Sequence, residues 1–287
     1  MTVRIICDSA CDLPKQIIEE YNLEVLPINV ISGDNVFKDQ VNIDPREVYE
    51  GMRKGITYRT SQITPVEFEE VFEEKAKNDE ECIYIGFSSG LSATFQSALL
   101  SKMAIEEKYD NFSIEVIDSK AASGGYGLIV YEIAKAAHKG MAKEDLISLA
   151  RKYIAGVDQV FSVDDIEYLY RGGRVSRTSA VLGGMLNIKP ILEVNEGKLV
   201  PIEKVRGRAK VLKRMSELVD ERKMDSDLKN STVVITHGDY LEGAEKLRDL
   251  IAEKYGTEEF IINSIGASIG AHVGPGTLAL FFMKNKI

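Results

Sequence analysis

Short apolar runs alternate with amphipathic segments through the first half of the chain. Runs rich in β-branched and aromatic residues predict buried strands at Val3–Ile6, Val25–Ile31, Cys82–Phe87 and Ile114–Ile117. Between these runs apolar residues recur three or four positions apart, as at Phe95, Leu99 and Met103, which is the spacing of an amphipathic helix. Strands that alternate with helices in this way are typical of a parallel sheet with crossover connections.

Two successive helices are predicted next, at Gly125–His138 and Lys143–Ile154, and the pattern then changes. Asn195–Lys198 joins two apolar runs, Ile191–Val194 and Leu199–Val205, and its Asn and Gly favour the tight turn of a hairpin. Further strands are predicted at Val160–Val163, Thr232–Thr236, Phe260–Ile265 and Thr277–Met283. We therefore predict an α/β protein of two domains: residues 1–156 with a parallel, Rossmann-like sheet and helices, and residues 157–287 with a mixed sheet and helices.

Composition narrows the class of protein. The chain has 287 residues, of which 44% are hydrophobic and 28% charged, as in an ordinary globular protein. We expect a cytoplasmic protein, because no apolar run is long enough to cross a bilayer and no signal-peptide core precedes the first predicted strand. A formal net charge of −9 argues against nucleic-acid and membrane-surface binding. One basic run, Lys204–Arg214, stands out against this acidic background.

No cofactor or metal site is predicted. The three cysteines and three histidines lack metal-ligand spacing, and neither a Walker A loop nor a GxGxxG fingerprint is present. The cysteines are interpreted as packing residues, and His138 and His237 as structural residues.

Hydroxyl-rich motifs follow several predicted strands, where ligands bind in α/β folds. The segment Ser88–Ser92 contains three serines, and helix capping explains at least one of them. The other hydroxyls could bind a carboxylate or phosphate together with the helix N-terminus. Both interpretations stay open. Thr64 and Pro65 predict the start of a helix, with Thr64 as its cap and Pro65 at its first position. This prediction explains no structural role for Thr60 and Ser61. For Asp118–Lys120, a loop-stabilising role is favoured over ligand binding.

Two glycine-rich segments carry the remaining candidate chemistry. In Arg171–Arg174 the first glycine reads as a helix C-cap, although two arginines around a glycine pair could also clamp an anion. Ile269–Gly276 places His272 in a predicted glycine-rich loop. A hydrolase that uses Ser92 or Ser89 with His272 is an alternative, but the GxSxG elbow is missing.

Taken together, these motifs resemble the DegV family of bacterial fatty-acid-binding proteins, nearly end to end and in the family's order. The segments that carry the resemblance are Asp8–Pro14, Thr60–Gln62, Ser88–Ser92, Asp118–Lys120, Arg171–Arg174 and Gly270–Gly276. The resemblance implies one long-chain fatty acid, for example C16 to C18, with its tail buried and its carboxylate at the domain interface. It also implies that no residue of this chain is catalytic.

Site residues follow from the same resemblance. It places Thr60, Ser61, Ser92 and Ser89 on the carboxylate, with His272 and Arg174 near the head group. Two positions depart from the family pattern: Ala93 replaces a usual glycine and Ile63 a usual proline.

The hypothesis for function is a lipid carrier that presents the carboxylate to a partner fatty acid kinase for acyl phosphate formation. Arg206 and Arg208 in the basic run are the candidate docking residues for that partner. The alternatives are a Ser/His-dependent esterase or phosphotransferase that acts on a small acidic ligand, and a small-molecule sensor of the same fold.

Overall fold

The computed structural model describes residues 3–110, 112–176 and 187–287. The first part of the chain contains, in order, β1 (Arg4–Asp8), α1 (Lys15–Glu20), β2 (Glu24–Leu26), β3 (Asn29–Ser32), β4 (Asn35–Lys38), α2 (Pro45–Arg53), β5 (Arg59–Ser61), α3 (Pro65–Lys77), β6 (Cys82–Gly86), α4 (Thr94–Lys108), β7 (Ile114–Asp118), α5 (Ser123–His138) and α6 (Lys143–Gly156). A single 3₁₀ turn, Ser9–Cys11, follows β1.

The remaining described elements belong to the second part of the chain. They are β8 (Val157–Ser162), α7 (Glu167–Arg171), β9 (Ile188–Asn195), β10 (Lys198–Arg206), α8 (Arg208–Arg222), β11 (Val233–His237), α9 (Leu241–Tyr255), β12 (Phe260–Ser264), α10 (Ala267–Val273) and β13 (Leu278–Met283).

The first sheet is parallel, with strand order β2-β1-β6-β7. Its central strands β1 and β6 are almost entirely buried, and Ile5 pairs with Ile83 while Ile85 pairs with Ile117. Chain order reverses between β1 and β6, and ligands bind outside the carboxyl ends of strands at such a switch point. The parallel sheet predicted from the apolar runs is therefore confirmed.

One predicted strand is wrong. The run Val25–Ile31 forms two strands, because Pro27 interrupts it after β2. β3 leaves the parallel sheet and pairs antiparallel with β4 and β5 in a separate three-stranded sheet. As a result Thr60 and Ser61 lie on a strand, β5, although the sequence placed them in a loop.

The second sheet is mixed, with strand order β10-β9-β8-β13-β11-β12. β11 and β12 are parallel and the other neighbours are antiparallel, which confirms the predicted mixed sheet and the predicted β9–β10 hairpin. Leu280 and Phe282 point into one core with α8 and α9, whereas Ala279 and Phe281 face the first half of the chain.

Helix α5 lies between the two sheets and contacts β1 as well as β11 and β13. Two glycines permit this approach, because a Cβ on Gly124 would lie 2.6 Å from Val234 and one on Gly125 would lie 2.8 Å from Phe281. One hydrophobic cluster therefore includes residues of both sheets. Helix α6 ends at Gly156, where the second sheet begins, and the domain boundary at 156/157 remains a prediction.

In the described part of the chain no helix is both long and apolar enough to span a membrane.

Candidate ligand-binding site

A cavity of about 610 Å³ lies between the parallel sheet and the inner face of the second sheet. The segments that follow β2, β6 and β7 form one side of it, through residues such as Ile28, Leu91 and Ala122. The opposite side consists of Phe161, Val194, Leu199, Ala279 and Phe281. Its volume is that of a typical small-molecule site, and it adjoins the switch point of the parallel sheet.

Most of the cavity wall is apolar, and most of the polar side chains that line it belong to the β5 segment, the Ser89–Ala93 loop and α10. We call this region the polar end of the cavity. Thr60, Ser61, Ser89, Ser92, Arg174 and His272 all line the cavity. The structure therefore brings together the six side chains that the sequence suggested for the carboxylate and its surroundings.

The segment after β5 is fixed against the start of α4. The Gln62 side-chain amide donates to Ser97 Oγ at 3.0 Å, and the Ile63 backbone N–H donates to Thr94 Oγ1 at 3.4 Å. Ile63 itself is buried in the core. These contacts hold Thr60 and Ser61 on the same side of the cavity as Ser92.

The Ser92 hydroxyl is hydrogen-bonded to Thr94 at the start of α4. The Thr94 backbone N–H donates to Ser92 Oγ at 3.2 Å, and the two hydroxyl oxygens lie 3.0 Å apart. When Thr94 donates its own hydroxyl proton to Ser92, the lone pairs of Ser92 are occupied and its proton remains available to a ligand.

Ser89 is more strongly engaged by the protein. Its hydroxyl donates to Asp118 Oδ2, and its oxygen accepts from Lys120 Nζ at 3.0 Å. Asp118 Oδ1 also accepts from the backbone N–H groups of Ser89 and Lys120 at 3.1 Å each. Burial acts to raise the pKa of Asp118, but hydrogen bonds from Lys120 and Ser89 outweigh it and the pKa lies below the ordinary value. A ligand carboxylate thus competes with Asp118 for the Ser89 hydroxyl.

His272 lies on a helix, α10, and the predicted glycine-rich loop is wrong at this position. Its Nε2 is 2.8 Å from Thr60 Oγ1. Its Nδ1 is buried without a hydrogen-bond partner in the described residues, and a Cβ on Gly172 would lie 2.2 Å from it. Burial, assisted by the nearby Arg174 charge, lowers the pKa of His272 to about 4, so the imidazole is neutral at neutral pH.

Two buried carboxylates hold the start of α10. Asp12 Oδ1 accepts from the Gly266 N–H at 2.8 Å, and Asp39 Oδ1 accepts from the Ala267 N–H at 2.9 Å. Asp39 Oδ2 also accepts from the Ser268 hydroxyl at 2.5 Å. Because both aspartates belong to the first part of the chain, they fix the helix that carries His272 against β5. No sequence signal predicts this pairing, apart from the preference of Asp residues for loops.

Arg174 provides the positive charge beside this polar end. Its Nε donates to the Leu91 carbonyl at 3.1 Å, and its Nη1 donates to the Gly172 carbonyl. Burial lowers the pKa of Arg174 from its ordinary value, but a guanidinium stays charged in proteins. The charge near the polar end at neutral pH is therefore that of Arg174 and not that of His272.

The tip of the β9–β10 hairpin covers the Ser88–Gly90 loop. Ser88 is fully buried and donates to the Gly197 carbonyl at 2.8 Å, while a Cβ on Gly90 would lie 2.5 Å from that same carbonyl oxygen. Ser88 is thus occupied by the protein, and Gly90 is required for the close approach. Sequence reasoning found the hairpin and the serines but not their contact.

Arg206 and Arg208 do not line this cavity. Arg206 is exposed at the end of β10. Arg208 forms an ion pair with Asp164, and its guanidinium lies 4.2 Å from the ring centroid of Tyr240. Part of the charge of the basic run is neutralised, because Arg214 pairs with Glu203 and Glu221.

Comparisons with known proteins agree with the fold and the motifs. The family model described as an uncharacterised protein, DegV family, matches residues 2–285. A DegV domain-containing protein of Clostridium perfringens is 36% identical over 284 residues, which are 98% of this chain and 97% of the relative. Among solved structures, DegV of Bacillus subtilis, a fatty acid binding protein, is 30% identical with a TM-score of 0.86 and covers 98% of each chain.

A second solved structure concerns fatty acid binding of a DegV family protein from Thermus thermophilus. It is 28% identical with a TM-score of 0.86, and the match covers 98% of this chain and 99% of that one. The α/β fold with a parallel sheet and a mixed sheet is confirmed, and so is the family resemblance that the sequence indicated. This chain belongs to the DegV family.

Proposed function

We propose that this chain binds one long-chain fatty acid in the cavity between its sheets and presents the carboxylate to a partner fatty acid kinase. The observation that carries the proposal is the cavity itself, a largely apolar space of about 610 Å³ that is also lined by the hydroxyl residues of β5 and of the Ser89–Ala93 loop. That distribution matches a molecule with a long apolar tail and a single acidic head. The fatty acid binding of the Bacillus and Thermus relatives supports the same ligand class.

Burial of the tail supplies the affinity. Each methylene transferred from water to an apolar site contributes about 0.8 kcal/mol, so a chain of C16 contributes roughly 10 kcal/mol before the cost of ordering it. The inner face of the second sheet provides Phe161, Ala279 and Phe281 as the apolar wall for that tail.

The head group requires donors, because an unpaired buried carboxylate is very costly. Thr60, Ser61 and Ser92 supply neutral hydroxyls at the polar end of the cavity. Ser89 supplies a fourth hydroxyl when it donates to the ligand instead of to Asp118. Neutral donors satisfy the carboxylate without forming a tight ion pair, so it stays nucleophilic toward a phosphoryl donor. Arg174 offsets the negative charge that develops as the acyl phosphate forms.

Docking of the kinase is assigned to the exposed end of β10 and the start of α8, where Arg206 and Arg208 lie. Arg206 is exposed, and positive charge on an acidic protein steers an acidic partner surface. The chain itself then has no catalytic residue, and the phosphoryl donor is a nucleoside triphosphate held by the kinase.

The esterase alternative is not favoured by the geometry. A Ser/His mechanism requires the histidine to contact the nucleophilic serine and to be oriented by an acid through its second nitrogen. His272 Nε2 contacts Thr60 instead, and its Nδ1 has no partner in the described residues.

Mass spectrometry of the purified protein tests the proposal. Under native conditions we expect a mass increase of one fatty acid, which is lost under denaturing conditions and recovered in the organic extract. A covalent acyl or phosphoryl group on Ser92 or His272 after denaturation would instead support the enzyme. Incubation of the delipidated protein with palmitate, a nucleoside triphosphate and a fatty acid kinase should yield palmitoyl phosphate. Hydroxylamine traps this product as the hydroxamate.

A further inference from the structure

A second cavity, of about 640 Å³, lies on the other side of the polar end. Its wall combines residues that precede and begin β5, such as Tyr58 and Arg59, with residues of α7 and the turn after it, such as Tyr168 and Arg171. Ala271 on α10 completes it. The second cavity adjoins the first one, and most of the residues that line it are different.

The two cavities share three lining residues: Thr60, Arg174 and His272. These are among the side chains assigned to the head group. A carboxylate held at Thr60 in the first cavity therefore lies at the wall of the second one. The second cavity is therefore the adjacent space for a group joined to an oxygen of that carboxylate.

The second cavity is basic within an acidic protein. Arg59, Arg171 and Arg174 line it, against one carboxylate, Asp165. Arg171 is held by Glu167, with Nε 3.0 Å from Oε1, whereas Arg59 is exposed and forms no ion pair within residues 3–110, 112–176 and 187–287. Guanidinium groups are the side chains that best match phosphate oxygens, because their N–H donors form a fixed fork.

We propose that the second cavity binds the phosphate group of the acyl phosphate, and that Arg59 and Arg171 contact it from the side opposite to the acyl tail. The inference rests on the proposed function. In the reaction a carboxylate oxygen forms a bond to the γ-phosphorus of the nucleoside triphosphate, and the bond from that phosphorus to the β,γ-bridging oxygen breaks. The nucleoside diphosphate leaves with the electron pair, and the new phosphate dianion remains on the acyl group.

This arrangement gives the two cavities different parts of one product. The apolar cavity retains the tail and the acyl carbonyl, while the arginines of the second cavity take the phosphate. Arg174 lies at the junction and faces both groups. The basic lining thereby favours the product over the fatty acid at the moment when charge is added.

A stable mimic permits a direct test. In 2-oxoheptadecylphosphonate a methylene replaces the bridging oxygen of palmitoyl phosphate, so the acyl chain and the phosphate charge are both kept. Its dissociation constant and that of palmitate are measured by calorimetry on delipidated wild type, Arg59→Ala, Arg171→Ala and the double variant. Arg248→Ala is the matched control, since Arg248 lies on α9 and pairs with Asp249.

We expect Arg59→Ala to weaken binding of the phosphonate about 5- to 10-fold, and the double variant to weaken it further, with palmitate binding changed less than about 2-fold. Arg59→Lys should restore part of the loss, because it keeps the charge but not the fork. Equal weakening of both ligands, or no selective effect on the phosphonate, would overturn the inference while the proposed function stands. Failure of wild type to bind palmitate would overturn both.

A titration with inorganic phosphate tests whether the second cavity binds free phosphate as well as the phosphate group of an acyl phosphate. Titration with inorganic phosphate alone, followed by ³¹P NMR, should show binding much weaker than that of the phosphonate, because the acyl chain anchors the group. Phosphate binding of equal strength would show a site for free anions and would contradict the assignment to the acyl phosphate.

Discussion

Thr60 Oγ1 and His272 Nε2 lie 2.8 Å apart, although the two residues are separated by 212 positions in the chain. Because His272 is neutral, a proton on Nε2 lets the ring donate to Thr60 and leaves the Thr60 hydroxyl proton for a ligand. The opposite tautomer would consume that proton and would bury an unpaired N–H at Nδ1. We therefore assign His272 as the residue that orients the Thr60 hydroxyl toward the carboxylate.

Loss of the hydroxyls should weaken binding without abolishing it. Thr60→Val and Ser92→Ala each remove one hydrogen bond to a charged group, which costs about 1.5 kcal/mol or more, so palmitate affinity should fall at least about tenfold in each. The buried tail keeps the double variant able to bind. Calorimetry on delipidated protein measures the effect, with Ser148→Ala on α6 as control because Ser148 is exposed and is not among the residues that line the cavity. Unchanged affinity in the double variant would remove these residues from the head-group site.

The stability of the ligand-free protein should depend on pH through His272. Its pKa is about 4 in the folded protein, against roughly 6.5 in the unfolded chain, so the unfolded chain binds more protons in that window. The contribution of His272 to the free energy of unfolding is fully present above a pH of about 6.5. It falls by about 3 kcal/mol as the pH drops to about 4. His272→Gln keeps a donor to Thr60 and removes the titration.

Urea unfolding at about pH 7 and about pH 4 measures this difference. Wild type should lose about 3 kcal/mol more of its unfolding free energy than His272→Gln over that interval. His138→Gln is the control, because His138 is exposed. Parallel pH profiles for wild type and His272→Gln would show that His272 is not held neutral by burial.

The length of the accepted acyl chain should respond to Ala279. This residue faces the cavity from β13 and pairs with Phe161 on β8, so a larger side chain shortens the space for the tail. Ala279→Leu should reduce affinity for a C18 acid about tenfold more than affinity for a C12 acid, since methylenes that no longer fit lose about 0.8 kcal/mol each. Thermal unfolding of the ligand-free variant checks that it folds. Equal losses for both acids would place the tail elsewhere.

Kinase docking is best tested at Arg206. Arg208→Glu would set a second carboxylate against Asp164 and would lose the contact with Tyr240, so its effect would mix folding with docking. Arg206→Glu should slow acyl phosphate formation about tenfold at low salt and leave palmitate affinity unchanged. Arg248→Glu is the charge-matched control. A loss of palmitate binding in Arg206→Glu would assign the residue to folding.

The pattern of apolar residues predicted most strands closely. The length of an apolar run and its content of β-branched residues are local properties, so they can be recognised in the sequence alone. The pattern failed at Val25–Ile31, where a continuous apolar run concealed a change of sheet. Pro27 was the available signal, since a proline within an apolar run argues against a single central strand.

Helix α10 was missed for a different reason. Gly270, Gly274 and Gly276 predicted a loop. A Cβ on Gly270 would lie 2.7 Å from Tyr49 Oη, so a small residue is needed there for packing. The helix start depends on Asp12 and Asp39, more than two hundred positions away. Such long-range capping cannot be inferred from local composition. The six residues that the motifs suggested do line one cavity, and their contact with a ligand stays a prediction.

A crystal structure of the delipidated protein soaked with palmitate tests whether the fatty acid lies in this cavity with its carboxylate at Thr60 and Ser92. We expect one acid, with carboxylate oxygens at hydrogen-bond distance, about 2.6 to 3.2 Å, from Thr60 Oγ1 and Ser92 Oγ. The tail should run along Phe161 and Phe281. Density for the carboxylate away from both hydroxyls, or no fatty acid in this cavity, would rule out this binding site.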